Sequence, residues 1–285
     1  MKKIIALVLA TVMLVFSLGA LTSCGPKYET YFGDEFSPVN SQMDVLLQLN
    51  AKSIDVGVMD SVMAGYYMSQ DTTYANSLMI IEDLILATEQ YGIAARKGSG
   101  LTKMINKALV ALANDGTVDT IAEKYGLVSE ICIDKTATFG DLTADELTDW
   151  NYIKGEGKFI VGYTIFAPIA YEKDGELIGF DIELAKAVAE YLELDVEFQV
   201  IEWATKEAKL EAKTIDCIWN GMTITEERKA NMAVTIPYMN NKQVAIIRKE
   251  DKDAYKTTED MKKALLGAED GSAGMDCCVV VEAAE

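Results

Sequence analysis

The chain has 285 residues, half of them hydrophobic, with 26 Lys+Arg against 45 Asp+Glu and no histidine. A net charge of −19 speaks against nucleic acid or an anionic membrane surface as a partner. Without histidine the commonest metal ligand and general base are missing, so a Ser-His-Asp or Cys-His site is excluded. The length suits one large domain or two smaller ones.

At the N-terminus, Lys2 and Lys3 precede an apolar run from Ile4 to Ala20, followed by "LTSC" at Leu21–Cys24. A basic start, an apolar stretch and small residues before a cut are the parts of a secretory signal. A cysteine directly after L-T-S resembles the bacterial lipobox, in which the cysteine is lipidated and becomes the mature N-terminus. Residues 1–23 are therefore expected to be a lipoprotein signal peptide and Cys24 its lipidation site, which attaches the exported chain to the cell membrane. The alternative is a transmembrane anchor, since the run is nearly long enough to span. Cys132, Cys217, Cys277 and Cys278 show no C-x-x-C spacing, so no metal is expected. They read as buried apolar thiols, with a bridge among them left open.

Further along, "AKSID" at Ala51–Asp55 enters an apolar strand that ends at Asp60, and the same pattern returns as "AKTID" at Ala212–Asp216. The echo suggests two similar α/β lobes, with Asp55 and Asp216 in equivalent structural places. Leu101, Met104, Ile105, Ala108, Leu109 and Leu112 recur at helical spacing. Gly116 should end that helix and Thr117 cap the next. The polar stretch from Asp134 to Asp149 reads as a linker with a short helix. "GFDIELAKAVAEYLEL" predicts a helix capped by Asp181, and "VEFQVIEW" and "QVAIIRK" predict strands. Alternating strands and helices imply an α/β fold with mostly parallel sheets, whose ligands bind beyond the carboxyl ends of the strands.

The stretch "NGMTITEERKANMAVTIPYMNN", Asn220 to Asn241, holds one feature out of keeping with an acidic chain. Thr225 can cap a helix starting at Glu226, and Glu226 and Glu227 suit its first turn. Arg228 does not, because a helix N-terminus is already partly positive. An arginine there fits an anion site, since it holds a carboxylate through two parallel hydrogen bonds. A solvated arginine paired with Glu226 or Glu227 is the plainer alternative.

"TITEER" followed by "IPY" resembles the ligand loop of the extracytoplasmic solute-binding proteins that feed polar amino acids to ABC transporters. "VGYTIFAPIAYEKDGELIGFDIELAKAVA" resembles that family's opening strand and helix, and "SIDVGVMDSVMAGYY" its strand carrying the ammonium-binding aspartate. "EQYGIAARKGSGLTKMINKALVALANDGTVDTIAEKYG" resembles its closing segment. The resemblance implies a type II periplasmic-binding-protein fold of two mixed α/β lobes joined by two hinge strands. By residue, it implies that Arg228 clamps the ligand's α-carboxylate, that Thr223 and an Asn220–Gly221 turn bind the carboxylate and ammonium beside it, and that the helix start at Ser272 completes the carboxylate site. Asp60 takes the α-ammonium, and Phe166 and Trp203 sandwich the side chain. Tyr163 stands where relatives selective for basic amino acids carry an acid, which favours a neutral polar ligand. The implied role is non-enzymatic: an extracytoplasmic, lipid-anchored protein captures a free amino acid, without a cofactor, and delivers it to an ABC transporter permease. A sensor subunit of the same fold, or a dehydratase or lyase on this scaffold, are the alternatives.

One departure concerns order. The segment resembling Lys158–Glu285 opens the family's mature chain, and the one resembling Tyr28–Ile131 closes it, which implies a circular permutation cut within the second lobe. One lobe should then hold residues 94–131 with 150–246, and the other 28–90 with 250–285. Residues 132–149 would link the ancestral termini, and the hinge strands should cross near "YGIAAR" and "VAIIRK".

Overall fold

The computed structural model describes residues 28–70 and 72–280. The expected signal peptide and Cys24 lie outside the described residues. In chain order, β1 (Glu29–Thr30), β2 (Glu35–Val39), α1 (Gln42–Asn50), β3 (Val56–Asp60), α2 (Ser61–Gln70), α3 (Thr72–Ser77) and the long β4 (Leu78–Ala95) come first. Then follow α4 (Leu101–Asn114), α5 (Thr117–Tyr125), α6 (Ala144–Glu156), β5 (Lys158–Tyr163), the hairpin of β6 (Tyr171–Lys173) and β7 (Glu176–Ile178), α7 (Phe180–Leu192) and β8 (Asp195–Val200). The chain continues through α8 (Lys206–Glu211), β9 (Cys217–Thr223), α9 (Glu226–Asn231), β10 (Ala233–Val234), β11 (Met239–Arg248), β12 (Leu265–Glu269), α10 (Ala273–Cys278) and β13 (Val279–Val280).

The main sheet runs β2-β12-β3-β11-β4-β9-β5-β8, with β10 beside β4. Its two halves are built alike. In one, β5 lies between β8 and β9 and is parallel to both, and β9 is antiparallel to β4. In the other, β12 lies between β2 and β3 and is parallel to both, and β3 is antiparallel to β11. The strand orders coincide once β12 counts as the first strand of its half. Close to the N-terminal segment, β1 also pairs with β13, Glu29 opposite Val280.

β4 and β11 pair antiparallel and join the halves. Tyr91 faces Met239 on β11 and Thr223 on β9, so the joint falls at Ala87–Tyr91 and Met239–Gln243, just before the segments singled out in the sequence. Each crossing strand is locked at its far end by the repeated aspartate. Arg96 gives Nη2 to Asp216 (2.8 Å) and Nη1 to the Ile215 carbonyl (2.9 Å). Arg248 gives Nη2 to Asp55 (3.1 Å) and Nη1 to the Ile54 carbonyl (2.6 Å). The second oxygen of each aspartate accepts from the first strand of its half, at Ile160 N (2.9 Å) and Leu265 N (3.0 Å). The A-K-x-I-D echo therefore marks a structural repeat.

On α4, Leu101, Ile105, Ala108, Leu109 and Leu112 are buried as their spacing predicts, each worth about 1.5–3 kcal/mol for a fully buried Leu or Ile. Three local expectations are corrected. Asp181 is not a cap: Gly179 precedes α7, and Asp181 is buried inside its first turn. Thr117 does not cap α5 with its side chain; instead Asp115 accepts from Thr117 N (2.9 Å), across Gly116 at φ 88°. The supposed linker holds α6, which starts in a Thr143–Glu146 capping box, runs on to Glu156 and buries Trp150 and Ile153. The four described cysteines are free thiols, with Cys217 and Cys278 buried and Cys132 and Cys277 half-buried.

Candidate ligand-binding cleft

A cleft opens between the two halves at the carboxyl ends of the strands, where an open α/β sheet leaves backbone and side chains free. Thr164, Ile165 and Phe166 line it after β5, Trp203 after β8, and Asn220, Gly221 and Thr223 at the end of β9. The facing half contributes Gln42 after β2, Asp60 at the end of β3, and Glu269, Ser272 and Ala273 around the end of β12. The cavity is only ≈ 20 Å³, room for about one water, inside a walled space of ≈ 350 Å³.

Arg228 enters this space from the first turn of α9, whose cap is Thr225 as the sequence predicts (Arg228 N to Thr225 Oγ1, 3.1 Å). Its side chain is buried at 7% exposure. Nη1 donates to the Thr223 carbonyl (2.7 Å) and Nη2 to the Gly271 carbonyl (3.4 Å). No carboxylate among the described residues comes within ion-pair distance of it. A buried cation satisfied by carbonyls alone keeps its attraction for an anion.

Asp60, at 5% exposure, sits on the opposite half. Tyr91 donates its hydroxyl to Oδ1 (2.6 Å), as do the side-chain amides of Gln243 (3.0 Å) and Asn241. Gln42 donates to Oδ2 and accepts from Asp60 N (3.0 Å). Glu89, on β4, shares the Asn241 and Gln243 amides and accepts from Thr223 Oγ1 (3.0 Å). Burial above all, and then the nearby Glu89, push the Asp60 carboxyl well above the usual carboxylate range. A cation arriving at Asp60 would favour its ionised form.

The Asn220–Gly221 pair is not a turn but lies inside β9, where the register against β4 shifts. Gly221 holds φ +62°, and a Cβ there would stand 2.6 Å from the Phe166 ring and 3.0 Å from Tyr91. Beneath it, Asp181 accepts from Gly221 N (3.0 Å) and from the Tyr238 hydroxyl (2.9 Å). Gly221→Ala should accordingly cost about 1–3 kcal/mol of stability and displace Phe166 from the wall, measurable as a lowered melting temperature together with weakened ligand binding. Ser272 caps α10, accepting from Met275 N (3.2 Å). Trp203 lies under Lys206, whose Nζ is 4.8 Å from the ring centroid and donates to the Gly271 carbonyl (3.2 Å). Burial, then Arg228, pull the Lys206 ammonium down to about 8.

The structure thus brings Arg228, Asp60, Thr223, Asn220, Gly221, Phe166, Trp203 and Ser272 to one cleft. It does not bring Tyr163. That ring packs edge-on against Phe198 (6.2 Å) beside Ala170 and Ile182, away from the residues lining the cavity. The expectation of a neutral ligand rested on Tyr163 and loses its basis. Gln42, Glu89, Lys206, Asn241, Gln243 and Glu269 were not singled out in the sequence. The one signal available for Glu269 was an acid at the carboxyl end of an apolar strand, the same signal that marked Asp60.

Residues 159–270 match the model of the bacterial extracellular solute-binding proteins, family 3. The L-cystine-binding protein TcyJ of Escherichia coli K12 is 30% identical over 119 residues, 41% of this chain and 45% of that protein. Over this segment the chain is similar to members of this family. The ABC transporter arginine-binding protein 1 of the same organism is 34% identical over 99 residues, 35% of this chain and 40% of the relative. The arginine-bound domain 1 of TmArgBP is 34% identical, covering 36% of this chain and 88% of that one, with a TM-score of 0.30. The chain spans less than half the length of the curated relatives it matches. The matched segment includes Arg228, Thr223, Asn220, Gly221, Phe166, Trp203 and Glu269 of the cleft, while Asp60 and Ser272 fall outside it.

Proposed function

We propose that the protein captures a free amino acid in this cleft and delivers it to an ABC transporter permease, after export and attachment to the membrane through Cys24. The observation that carries the reading is the buried Arg228, without a carboxylate partner among the described residues, facing the buried Asp60 across one small cavity. A zwitterion supplies what each lacks, a carboxylate for the guanidinium and an ammonium for the acid. Phe166 and Trp203 furnish apolar walls. A cavity with room for about one water admits such a ligand only if the halves part and close again, a hinge motion about β4 and β11. The closed form is favoured because it alone offers Arg228 and Asp60 together.

In this reading one lobe comprises residues 94–131 with 150–246 and the other 28–90 with 250–285, in circularly permuted order. The matching strand orders of the two halves support the permutation, since they coincide only when β12 opens its half. Residues 132–149 join the ancestral termini, although their last part belongs to α6.

The reading is tested by thermal-shift measurements against the common amino acids. A ligand at about 100 times its Kd should stabilise the protein by about 2.7 kcal/mol. No stabilisation by any of them would sink the proposal. Asp60 adds a sharper test. The protein should bind the free amino acid but not its N-acetyl derivative, and Asp60→Asn should remove that discrimination while leaving the fold intact. Because the free carboxyl is held protonated above its usual range and the ligand's ammonium favours its ionised form, binding releases a proton. Affinity should therefore rise with pH above the ordinary carboxylate range and fall as the medium is acidified, as read by calorimetry across that window.

A further inference from the structure

Glu269 ends β12 and forms part of the cleft wall with 4% of its surface exposed. Its Oε1 is buried and receives no hydrogen bond from the described residues. Native structures leave few such acceptors, and each calls for an explanation. The Gln42 side chain hydrogen-bonds the carboxyl without satisfying Oε1, and the neighbouring Lys206 gives its ammonium to the carbonyls of Trp203 (3.3 Å) and Gly271 (3.2 Å). On another wall, Asn220 also leaves its Oδ1 buried without a donor. Arg228 and Asp60 suffice for the two charges that every amino acid carries, so Glu269 has no part in recognising the common backbone of the ligand.

We propose that Glu269 is the specificity-determining acid of the cleft, which receives a second positive group on the ligand's side chain, an ammonium or a guanidinium. This rests on the cleft being an amino-acid site and names the class it selects. A ligand cation gives Oε1 the donor it lacks and completes the charge balance of the wall. The charged groups around Glu269 are Lys206, Asp44 and Asp270, with Arg228 and Asp60 on the other walls of the cleft. Burial pushes the Glu269 carboxyl up to about 8, against the pull of Lys206. Near neutral pH the free protein thus holds it protonated, and a cationic side chain must expel that proton.

Calorimetry with arginine and citrulline tests the assignment, since citrulline keeps arginine's length and replaces the guanidinium by a neutral urea. Wild-type protein should bind arginine, or lysine, at least ~10-fold more tightly than citrulline or glutamine, as a charge-assisted hydrogen bond implies. Arginine binding at pH 7 should release roughly one proton more than citrulline binding, seen by comparing buffers of different ionisation enthalpy. Glu269→Gln, a near-isosteric change, should erase the preference by weakening arginine while leaving citrulline within about two-fold. Equal or tighter binding of citrulline or glutamine by the wild type would overturn the proposal, as would an unchanged arginine preference in Glu269→Gln. If such neutral ligands bind and their N-acetyl forms do not, the amino-acid site stands and this inference alone falls. If no amino acid binds the wild type, both fall together.

Discussion

Arg228→Ala is expected to abolish amino-acid binding, with a loss of about 2–5 kcal/mol, the range for removing one partner of a buried charge pair. Arg228→Lys should weaken it strongly, because an ammonium cannot reproduce the two parallel bonds of a guanidinium. The ligand-free protein should not suffer in proportion. Among the described residues the Arg228 guanidinium holds two carbonyls and has no ion-pair partner, so its removal also relieves a desolvation cost. Calorimetry and thermal unfolding on the same variant separate the two effects. Unchanged affinity for the ligand found by screening would show that the clamp is assigned to the wrong residue, and a large stability loss without ligand would make the arginine structural.

The second large effect concerns the chain's C-terminal part. Deleting residues 250–285 should unfold one half of the molecule rather than trim a tail. β12 lies between β2 and β3, and its removal leaves both without their shared neighbour and strips Asp55 of its bond to Leu265 N. Ala264, Leu266, Ala268, Met275 and Cys278 leave the same apolar cluster. Hydrogen exchange should show protection lost across residues 28–60 and kept in β5, β8 and β9. A truncated protein with full stability and ligand binding would refute the shared-sheet account.

Much of this architecture was legible in the sequence because it follows from local periodicity. The α4 stripe, the α7 helix and the strands at Asp195–Val200 and Met239–Arg248 all carry their pattern within a dozen residues. Arg228 could be found because it stands in a helix turn that electrostatics disfavours. Phe166 and Trp203 are different: alone they read as core, and only the family resemblance placed them at a ligand. The residues missed depend on distant pairing. Glu89, Asn241 and Gln243 meet Asp60 through the register of β11 against β4 and β3, set by contacts 152–183 residues apart. Tyr163 misled because the direction of the last side chain in a strand depends on how the next loop leaves it. The helix at Ala144–Glu156 was partly visible, since Thr143 and Glu146 have capping-box spacing, but its polar surface hid the inward Trp150 and Ile153.

Neither arginine lock straddles the gap between the halves. Arg96 is fastened wholly on the side of β5 and β9, and Arg248 wholly on the side of β3 and β12. Each crossing strand is therefore like a beam set firmly in masonry at one end, and the halves can swing without unfastening either. The bonds that swinging must break include those from Lys206 and Arg228, two cations that reach over to a single peptide oxygen, that of Gly271. Such a catch is easily lifted. In the proposed reading, a ligand carboxylate offered to the same cations would replace a shared neutral acceptor with a charged one, so the empty molecule would be latched lightly and the loaded one firmly.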